Sequence, residues 1–450
     1  MMNWEKLLTS GRFDLRDGHS AIETQNRSEI ERDYDRIIFS SPFRNLQDKT
    51  QVFPLPEHDF VHTRLTHSLE VSSVGRSLGK AVGEFLLNKY PDLQSKGISS
   101  SDIGAIVAAA SLAHDIGNPP FGHAGEEAIS DFFKHHPYGF VWQTYVSQQE
   151  WSDLCNFEGN AQGFRMLVSK ENGLKLTYPT LAAFTKYPRP SQVFEKDPKR
   201  RSHKKYGFFV DQKEEFEMLS EKLGLEKSST ECFLRHPLAF LVEAADDICY
   251  SIIDLEDGCT LGLVSFEESV SLLGEILGDK FQPEKLNKYN SDAQKLAVLR
   301  AMAIGQLIGE SVAAFCKEEE NILSGDFDQA LTDSIPAASA LHKISKLSVQ
   351  KIYRSKPVLE KEAAGFQVLE GLLEVFSKAL NHKFYQTELF SGKDRSILRL
   401  LPEDFPMEGW DSSTNPYPLL RELIDFISGM TDKYALSLYR KVKGIALPGV

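Results

Sequence analysis

Apolar side chains recur at spacings of three and four residues along most of this chain, from Glu29 to its end. This spacing is the period of an α-helix with one buried face, whereas the alternation typical of a half-buried strand is confined to a few short runs. The pattern therefore predicts an all-α fold. With 450 residues, 41% of them hydrophobic and 26% charged, the chain is long enough for one large domain or two to three smaller ones.

The sequence carries no signal typical of secretion or membrane insertion. Its first eight residues contain no apolar signal-peptide core, and we take the longest apolar stretch to be the one around Ile103 to Ala113, which is shorter than the roughly 20 residues that a spanning helix needs. The five cysteines are scattered and never spaced as C-x-x-C, which argues against a disulfide framework or a thiolate zinc site. We therefore expect a cytoplasmic protein that is not inserted in a membrane.

The formal net charge of −13 argues against a protein that coats nucleic acids, because such proteins present a broad basic surface. An anionic substrate would have to be held by a local group of cations or by a metal ion. One proline-rich, strongly basic segment lies between Pro188 and Gly207, and we interpret it as an exposed loop. Its basic run from Lys196 to Lys205 motivates binding of single-stranded DNA as an alternative.

Two predicted helices each carry a histidine on an apolar face. In the first, His67 is in register with an apolar stripe that continues from Val71 to Phe85. In the second, His114 follows Ile103 and other apolar residues at the same helical spacing. Both histidines should therefore point into the interior. A lone inward histidine is more often an ordinary hydrogen-bonded core residue, so the spacing alone does not identify a site.

The dipeptide His114-Asp115 stands at the end of the second helix. The residues that follow include Gly117 and two prolines, which cannot continue a helix, and a new helix is expected to begin near His123. The turn should expose the dipeptide at the helix end. An isolated His-Asp pair is uninformative, but its combination with the inward His67 is much less expected by chance.

A third segment supplies more carboxylates. Asp246, Tyr250 and Asp254 stand four residues apart and form one line down a predicted helix, with Asp247 beside the first of them. Either Asp246 or Asp247 could join the two histidines and Asp115 as a metal ligand. Two imidazoles with two carboxylates suit Mn, Fe, Co or Ni, with Mg or Zn as further options. A solvated acidic helix face is the alternative interpretation.

His123 and Glu126 stand three residues apart at the start of the next predicted helix. Such a pair could act in general acid or base catalysis, with the carboxylate orienting the imidazole. The free backbone amides of the helix start would also favour a phosphate group. The alternative for this pair is a simple hydrogen bond at a helix terminus.

Together these residues resemble the HD superfamily, whose pattern is a distant His, an adjacent His-Asp and a further Asp around a metal in a helical bundle. More narrowly, the chain is similar to the deoxyguanosine triphosphate triphosphohydrolase (dGTPase) family. The similarity is carried by five segments of the sequence. These are residues 41–54, 62–71, 114–126, 243–257 and 428–435.

The resemblance implies an HD-domain helical bundle with additional C-terminal helices. We predict three parts: an N-terminal segment, a metal-dependent phosphohydrolase core, and a C-terminal helical region packed on that core. Their bounds are 1–29, 30–265 and 266–450.

The family's ligand set implies one divalent metal ion, with Mn²⁺ or Mg²⁺ as the first expectation and Fe, Co, Ni or Zn as alternatives. The implied ligands are His67, His114, Asp115 and Asp246. Asp246 is preferred to Asp247 because in the family a Tyr follows the ligand at +4 and an Asp at +8. The same resemblance implies His123 and Glu126 as the catalytic pair.

The remaining implied contacts go to the nucleotide. Gln51 and Val52 would approach the deoxyribose where a 2′-hydroxyl would clash, and Tyr250 and Asp254 would contact the sugar. Arg64 and Lys186 would bind phosphate. The implied substrate-binding residues are therefore Gln51, Val52, Arg64, Lys186, Tyr250 and Asp254.

The activity that the resemblance implies is hydrolysis of deoxynucleoside triphosphates, with dGTP preferred or with broad base specificity, to deoxynucleoside and inorganic triphosphate. Metal-activated water would attack the α-phosphorus, and His123 would help the 5′-oxygen to leave. Family members usually assemble, often as hexamers, so we expect a homo-oligomer. Two alternatives remain: another HD phosphohydrolase, such as a nucleotidase or phosphodiesterase, and a nucleotide-sensing or DNA-binding protein with weak catalysis.

Overall fold

The computed structural model describes residues 1–13, 28–52, 62–193 and 196–446. Within these ranges it contains twenty α-helices and, apart from three isolated β-bridges, no extended pairing. This confirms the all-α fold class. Residues 14–27 of the N-terminal segment and the last two residues of the segment 41–54 lie outside the described residues.

The α-helices, in chain order, are α1 (Trp4–Leu7), α2 (Glu31–Ile38), α3 (Ser41–Arg44), α4 (Arg64–Lys89), α5 (Asp92–Ser95), α6 (Ser100–Ala113), α7 (His123–His135), α8 (Pro137–Phe140), α9 (Gln148–Cys155), α10 (Gly159–Val168), α11 (Tyr178–Phe184), α12 (Lys213–Leu223), α13 (Ala239–Thr260), α14 (Phe266–Leu277), α15 (Asp292–Ser324), α16 (Ala338–Ser348), α17 (Lys356–Phe384), α18 (Gly392–Leu398), α19 (Tyr417–Ser428) and α20 (Asp432–Val442). Short 3-10 helices cover Asn45–Asp48, Val141–Tyr145, Arg201–His203, Val210–Gln212, Gly278–Lys280, Pro283–Lys288, Leu331–Asp333 and Thr387–Leu389. A π-helical turn covers Val349–Tyr353.

The close packing of α4 on α6 brings the two predicted histidines together. Three glycines on α4, at positions 75, 79 and 83, recur every four residues and face α6. A Cβ at Gly79 would lie 2.9 Å from the carbonyl oxygen of Ile103, and one at Gly83 would lie 2.9 Å from Cα of Ser100. Any larger residue would force the helices apart, so this stripe determines how near the two helix axes come.

The helix boundaries near the predicted site follow from local sequence. Thr63 caps α4 in a capping box with Thr66, whose hydroxyl accepts a hydrogen bond from the Thr63 backbone amide. The second predicted helix, α6, ends at Ala113, slightly before the end near Gly117 that the sequence predicts, and α7 begins at His123 as predicted. The turn between them therefore carries the His-Asp dipeptide at one end and His123 at the other.

Two apolar clusters form the interior. The first contains residues of α1–α6 and α10–α16, and the second contains residues of α7, α9 and α17–α20. The turn between α6 and α7 passes from one to the other, because Ile116 belongs to the first cluster and Phe121 to the second. The predicted site therefore lies where the two clusters meet.

One helix within the described ranges, α15, is long and apolar enough to cross a membrane by length and composition alone. Its most apolar 18-residue window has a mean hydropathy of 1.4, and 28% of that window is buried. The prediction from sequence considered only the apolar stretch at residues 103–113 and overlooked α15. Buried residues on one face of α15, including Leu299 and Phe315, join the first apolar cluster beside α4 and α13.

Candidate active site

Four side chains from two helices and one turn converge at the end of α6. Ligand atoms of His67, His114 and Asp115 all lie within 4.8 Å of one another, and all three residues are buried. Asp246 on α13 completes the group: its Oδ1 lies 3.2 Å from Nε2 of His67 and 3.4 Å from Nε2 of His114. The structure thus brings together the four residues predicted as metal ligands.

The chemistry of this group fits a divalent cation. Nδ1 of His114 lies 2.7 Å from the carbonyl oxygen of Ser111, which can only accept, so Nδ1 carries a hydrogen. Nε2 therefore faces the carboxylates and offers a lone pair to a cation when the ring is neutral. Nε2 of His114 and Oδ2 of Asp115 are buried and have no hydrogen-bond partner among the described residues. Two orphaned acceptors in a buried carboxylate–imidazole cluster are what a cation would satisfy.

Each carboxylate of the group has its own cationic neighbour. Nη1 of Arg64 donates to Oδ1 of Asp115 at 2.7 Å, and Nζ of Lys186 donates to Oδ2 of Asp246 at 2.6 Å. Burial by itself raises the pKa of Asp115, but the Arg64 guanidinium and the two neighbouring histidines together outweigh it and lower that pKa. Burial also raises the pKa of Asp246, but Lys186 and His114 outweigh it and hold that pKa well below its usual value. Both carboxylates therefore stay ionised.

His123 and Glu126 form the expected pair at the start of α7. Nδ1 of His123 lies 2.8 Å from Oε2 of Glu126, while the other oxygen of Glu126 accepts from the backbone amide of Gly159 at 2.8 Å. The His123 side chain is 84% exposed and Glu126 is buried beneath it. Burial raises the pKa of Glu126, but the His123 hydrogen bond and the charge of Lys205 outweigh it and lower the pKa. An ionised Glu126 can orient the imidazole.

A cavity of about 530 Å³ opens beside the metal-ligand group, within the size range of ligand pockets. Most of the twelve predicted site residues line it. These are Gln51, Val52, Arg64, His114, Asp115, His123, Lys186, Asp246 and Tyr250. The other three lie one contact away: His67 beside Asp246, Glu126 beside His123, and Asp254 beside Tyr353.

Tyr353 is a pocket residue that the sequence did not reveal. Its ring stacks on Tyr250 with 5.7 Å between centroids, and its hydroxyl donates to Oδ2 of Asp254 at 2.5 Å. It comes from the π-helical turn after α16, about a hundred residues beyond Asp254 in sequence. Nothing in its local pattern separates it from an ordinary half-buried tyrosine.

The adjacent aspartates Asp246 and Asp247 face different neighbours. Asp246 points to the histidines and Lys186, whereas Oδ2 of Asp247 accepts from the hydroxyl of Thr332 at 2.7 Å and lies 3.8 Å from Arg201. Of the two carboxylates that the sequence left open, only Asp246 is within reach of His67 and His114 in the described structure.

The interpretation of the basic segment as an exposed loop is wrong for its arginines. Nε of Arg201 donates to Glu243 at 2.7 Å, and Nε of Arg200 lies 3.1 Å from Asp328. Lys205 pairs with Glu158 at 3.0 Å and lines the cavity. These three cations are half-buried and paired with acidic residues distant in sequence, which is why the local charge pattern did not predict their ion pairs. Among the described lysines of the run, Lys196, Lys199 and Lys204 are exposed.

Comparison with known protein families gives two matches along the chain. Residues 64–150 match the HD domain, and residues 331–441 match the phosphohydrolase-associated domain. The first match contains Arg64, three of the predicted metal ligands and the His123–Glu126 pair. The second contains Tyr353.

Several curated proteins resemble the chain over nearly its whole length. A deoxyguanosinetriphosphate triphosphohydrolase-like protein of Pseudomonas aeruginosa (strain LESB58) is 40% identical over 456 residues, covering 99% of this chain and 100% of the relative. A protein of the same description from Synechocystis sp. (strain ATCC 27184 / PCC 6803 / Kazusa) is 39% identical, with the same coverage. A deoxyguanosinetriphosphate triphosphohydrolase of Enterobacter sp. (strain 638) is 31% identical, covering 92% of this chain and 94% of the relative. The chain therefore belongs to the deoxyguanosinetriphosphate triphosphohydrolase family of HD-domain phosphohydrolases.

Proposed function

We propose that the protein hydrolyses deoxynucleoside triphosphates to deoxynucleoside and inorganic triphosphate. The observation that carries the proposal is the shared cavity, in which a metal-ligand group, two cations and a tyrosine-lined wall face the same space. The metal-ligand group and the cations suit a polyphosphate, and the tyrosines suit a nucleoside. The Enterobacter relative, named for triphosphohydrolase activity on deoxyguanosine triphosphate, supports the same substrate class.

His67, His114, Asp115 and Asp246 would hold one divalent cation, with Mn²⁺ or Mg²⁺ as our first choice. When bound, such a cation neutralises phosphoryl charge and lowers the pKa of bound water. Arg64 and Lys186 bind phosphate oxygens in this proposal. Both line the cavity as buried or nearly buried cations, so their attraction for a polyanion is little screened by solvent.

His123 supplies the proton for the departing 5′-oxygen in this proposal. Its Nδ1 is held by Glu126 at 2.8 Å, which leaves Nε2 as the atom free to exchange a proton with the substrate. The high exposure of its side chain allows the imidazole to meet a ligand that enters the cavity. Glu126 acts by orienting the ring and stabilising its charged form.

The sugar would lie against the tyrosine wall. Tyr250 and Tyr353 present a stacked aromatic pair, with Asp254 behind them as a hydrogen-bond acceptor. Gln51 and Val52 line the cavity from another side, and Oε1 of Gln51 is buried without a hydrogen-bond partner in the described ranges. An unsatisfied buried oxygen next to the cavity can accept from a ligand hydroxyl, and a valine there disfavours a 2′-hydroxyl.

Product analysis tests the proposal directly. The purified protein is incubated with each of the four dNTPs and with GTP, in Mn²⁺ or Mg²⁺, and products are separated by ion-exchange chromatography. We expect deoxynucleoside and intact triphosphate, with dGTP preferred or all four dNTPs hydrolysed, and little reaction with GTP. His114→Ala, prepared in the same way, is the matched control for a contaminating phosphatase.

Other products would favour the alternatives. Monophosphate with pyrophosphate, or phosphate release from a nucleoside monophosphate, would indicate another HD phosphohydrolase. Inert nucleotides under every metal would favour a nucleotide-sensing or DNA-binding role, which filter binding of single-stranded DNA at several salt concentrations then tests. The ion pairs of Arg200 and Arg201 speak against the DNA alternative, because they occupy two cations of the basic segment.

The proposal also includes a cytoplasmic homo-oligomer, with a hexamer as the first expectation, and the division into 1–29, 30–265 and 266–450. Sedimentation equilibrium of the full chain tests the first part. Limited proteolysis tests the second, with cleavage near 29 and 265 as the expected result.

A further inference from the structure

Asp432 is remote in sequence from the rest of the candidate active site but forms hydrogen bonds to two of its segments. It is the first residue of α20 and only 2% exposed. Its Oδ2 accepts hydrogen bonds from the backbone amide of Thr50, at 3.1 Å, and from the Thr50 hydroxyl, while its Oδ1 accepts from the backbone amide of Phe121 at 3.0 Å. One carboxylate thus accepts three hydrogen bonds from two segments that are distant from each other in sequence.

Each of these segments leads directly into the cavity. Thr50 precedes Gln51 and Val52, and it also forms a β-bridge with Thr63, the residue that caps α4 just before Arg64. On this side Asp432 is therefore linked to the wall that faces the sugar and to a phosphate-binding arginine.

The second segment leads to the catalytic pair. Phe121 lies two residues before His123 and has a φ of 62°, a left-handed conformation that non-glycine residues rarely adopt. Such a conformation persists only where surrounding contacts hold it. Here the Phe121 amide is held by Asp432, and its side chain packs so closely on α17 that a Cβ at Gly365 would lie 2.8 Å from Phe121 Cβ.

Lys49 makes a second connection between the same parts of the chain. Its Nζ donates to the carbonyl oxygens of Asn118 and Ser428, each at 2.7 Å, and the residue is 4% exposed. Asn118 in turn donates from Nδ2 to Oδ1 of Asp115 at 2.7 Å. Through these hydrogen bonds, Lys49 and Asp432 connect three parts of the chain: the segment before the cavity, the turn between α6 and α7, and the C-terminal helices from the end of α19 to the start of α20.

We propose that Asp432 is a positioning residue, which sets the Thr50–Val52 segment and the Phe121–His123 segment at the correct separation for a bound deoxynucleotide. The inference rests on the proposed function and deepens it, because it makes the C-terminal region part of the active site. Loss of the carboxylate should misplace His123, which lowers kcat, and loosen Gln51 and Val52, which weakens the exclusion of ribonucleotides.

Asp432→Asn tests the proposal, because asparagine keeps the shape but offers one acceptor oxygen where three donors converge. Asp394→Asn is a matched control. Asp394 is 6% exposed, belongs to the C-terminal region, and accepts from the Ser391 amide at 2.9 Å and hydroxyl at 2.8 Å, but does not line the cavity. Both variants lose a comparable buried interaction, and only one touches the active-site segments.

Hydrogen exchange followed by mass spectrometry gives a readout that does not depend on activity. We expect exchange of the peptides containing the Thr50 and Phe121 amides to accelerate at least tenfold in Asp432→Asn and to stay unchanged in Asp394→Asn. In steady-state kinetics we expect Asp432→Asn to lower kcat for dGTP at least tenfold and to lower the ratio of kcat/KM for dGTP over GTP at least fivefold. Unchanged exchange, or unchanged kcat and ratio, would overturn the proposal.

If the wild type hydrolyses no dNTP, the proposed function fails. The role of Asp432 is then tested without kinetics, by hydrogen exchange and by the ratio of the dGTP and GTP binding affinities from calorimetry. If Asp432→Asn does not fold, Thr50→Val removes a single hydroxyl contact and Thr50→Ser restores it. Reduced discrimination in the valine variant with recovery in the serine variant supports the proposal, and wild-type discrimination in both overturns it.

Discussion

The ammonium group of Lys186 lies 2.6 Å from Oδ2 of Asp246, while Oδ1 of the same carboxylate faces Nε2 of His67 at 3.2 Å. One carboxylate is thus shared between a cavity-lining cation and the histidine group. In the same way, the guanidinium group of Arg64 donates a hydrogen bond to the carboxylate of Asp115. Each of these two predicted ligand carboxylates is therefore balanced by a cation that also lines the cavity.

Lys186→Met should raise the KM for dNTPs at least tenfold, because a charge-assisted hydrogen bond to phosphate is lost. Metal content should not fall, since the imidazoles and carboxylates remain. Steady-state kinetics and metal analysis by mass spectrometry measure both quantities. Lys199→Met, an exposed position in the basic segment, is the control. A KM within twofold of wild type would remove Lys186 from phosphate binding.

His114→Ala should reduce bound metal to less than about a tenth of the wild-type amount and abolish turnover, because a buried ligand with a fixed lone pair is lost. Helix content by circular dichroism should change little. His135→Ala, at an exposed position on α7, should retain both metal and activity. Metal content near the wild-type value would contradict the ligand assignment.

His123→Ala should keep the metal but lower kcat about 10²–10⁴-fold, the range typical of a lost general acid or base. Glu126→Gln should have a smaller effect on kcat, since the glutamate orients the ring at 2.8 Å but does not itself transfer the proton. An unchanged rate in His123→Ala would exclude it from the mechanism.

Asp254 should make the free energy of unfolding depend on pH. Burial raises its pKa from 3.8 to about 7, so between these values the folded state holds a proton that the unfolded state has released. Stability therefore falls as pH rises from about 4 to 7, and the deficit persists above 7. Asp254→Asn should remove about 2 kcal/mol of the stability difference between pH 5 and pH 8.

Chemical denaturation of wild type and variant at pH 5, 6.5 and 8 measures this effect. Asp279→Asn, at an exposed position, is the control and should follow the wild-type pH dependence. Parallel pH profiles for wild type and Asp254→Asn would show that the carboxyl is already ionised throughout this range.

Much of the local architecture could be read from the sequence. The apolar stripe through Val71 predicted α4, and the glycine and prolines after Asp115 predicted the turn before α7. These features are local, because helical periodicity and helix-breaking residues act within one or two turns of the chain. The same local register placed His67 and His114 on inward faces, and the resemblance to the family selected the residues that the fold brings together.

Other features required contacts between distant residues. The basic segment was misinterpreted because the partners of Arg200 and Arg201, Asp328 and Glu243, are remote in sequence and offer no local sign of pairing. Tyr353 reaches the cavity only because α16 and its π-helical turn pack beside α13. The apolar composition of α15 was also overlooked, although its burial depends on which helices surround it.

The sequence by itself determined the all-α class, the helix ends around the site and the residues able to bind a cation, since these depend on side-chain type and short-range spacing. Only the tertiary structure decided their separations. The close approach of α4 and α6 depends on glycines of one helix that contact the backbone of the other. The hydrogen bonds of Asp432 to Thr50 and Phe121 depend on the packing of the C-terminal helices. Such contacts arise from the packing of whole elements, which no local pattern encodes.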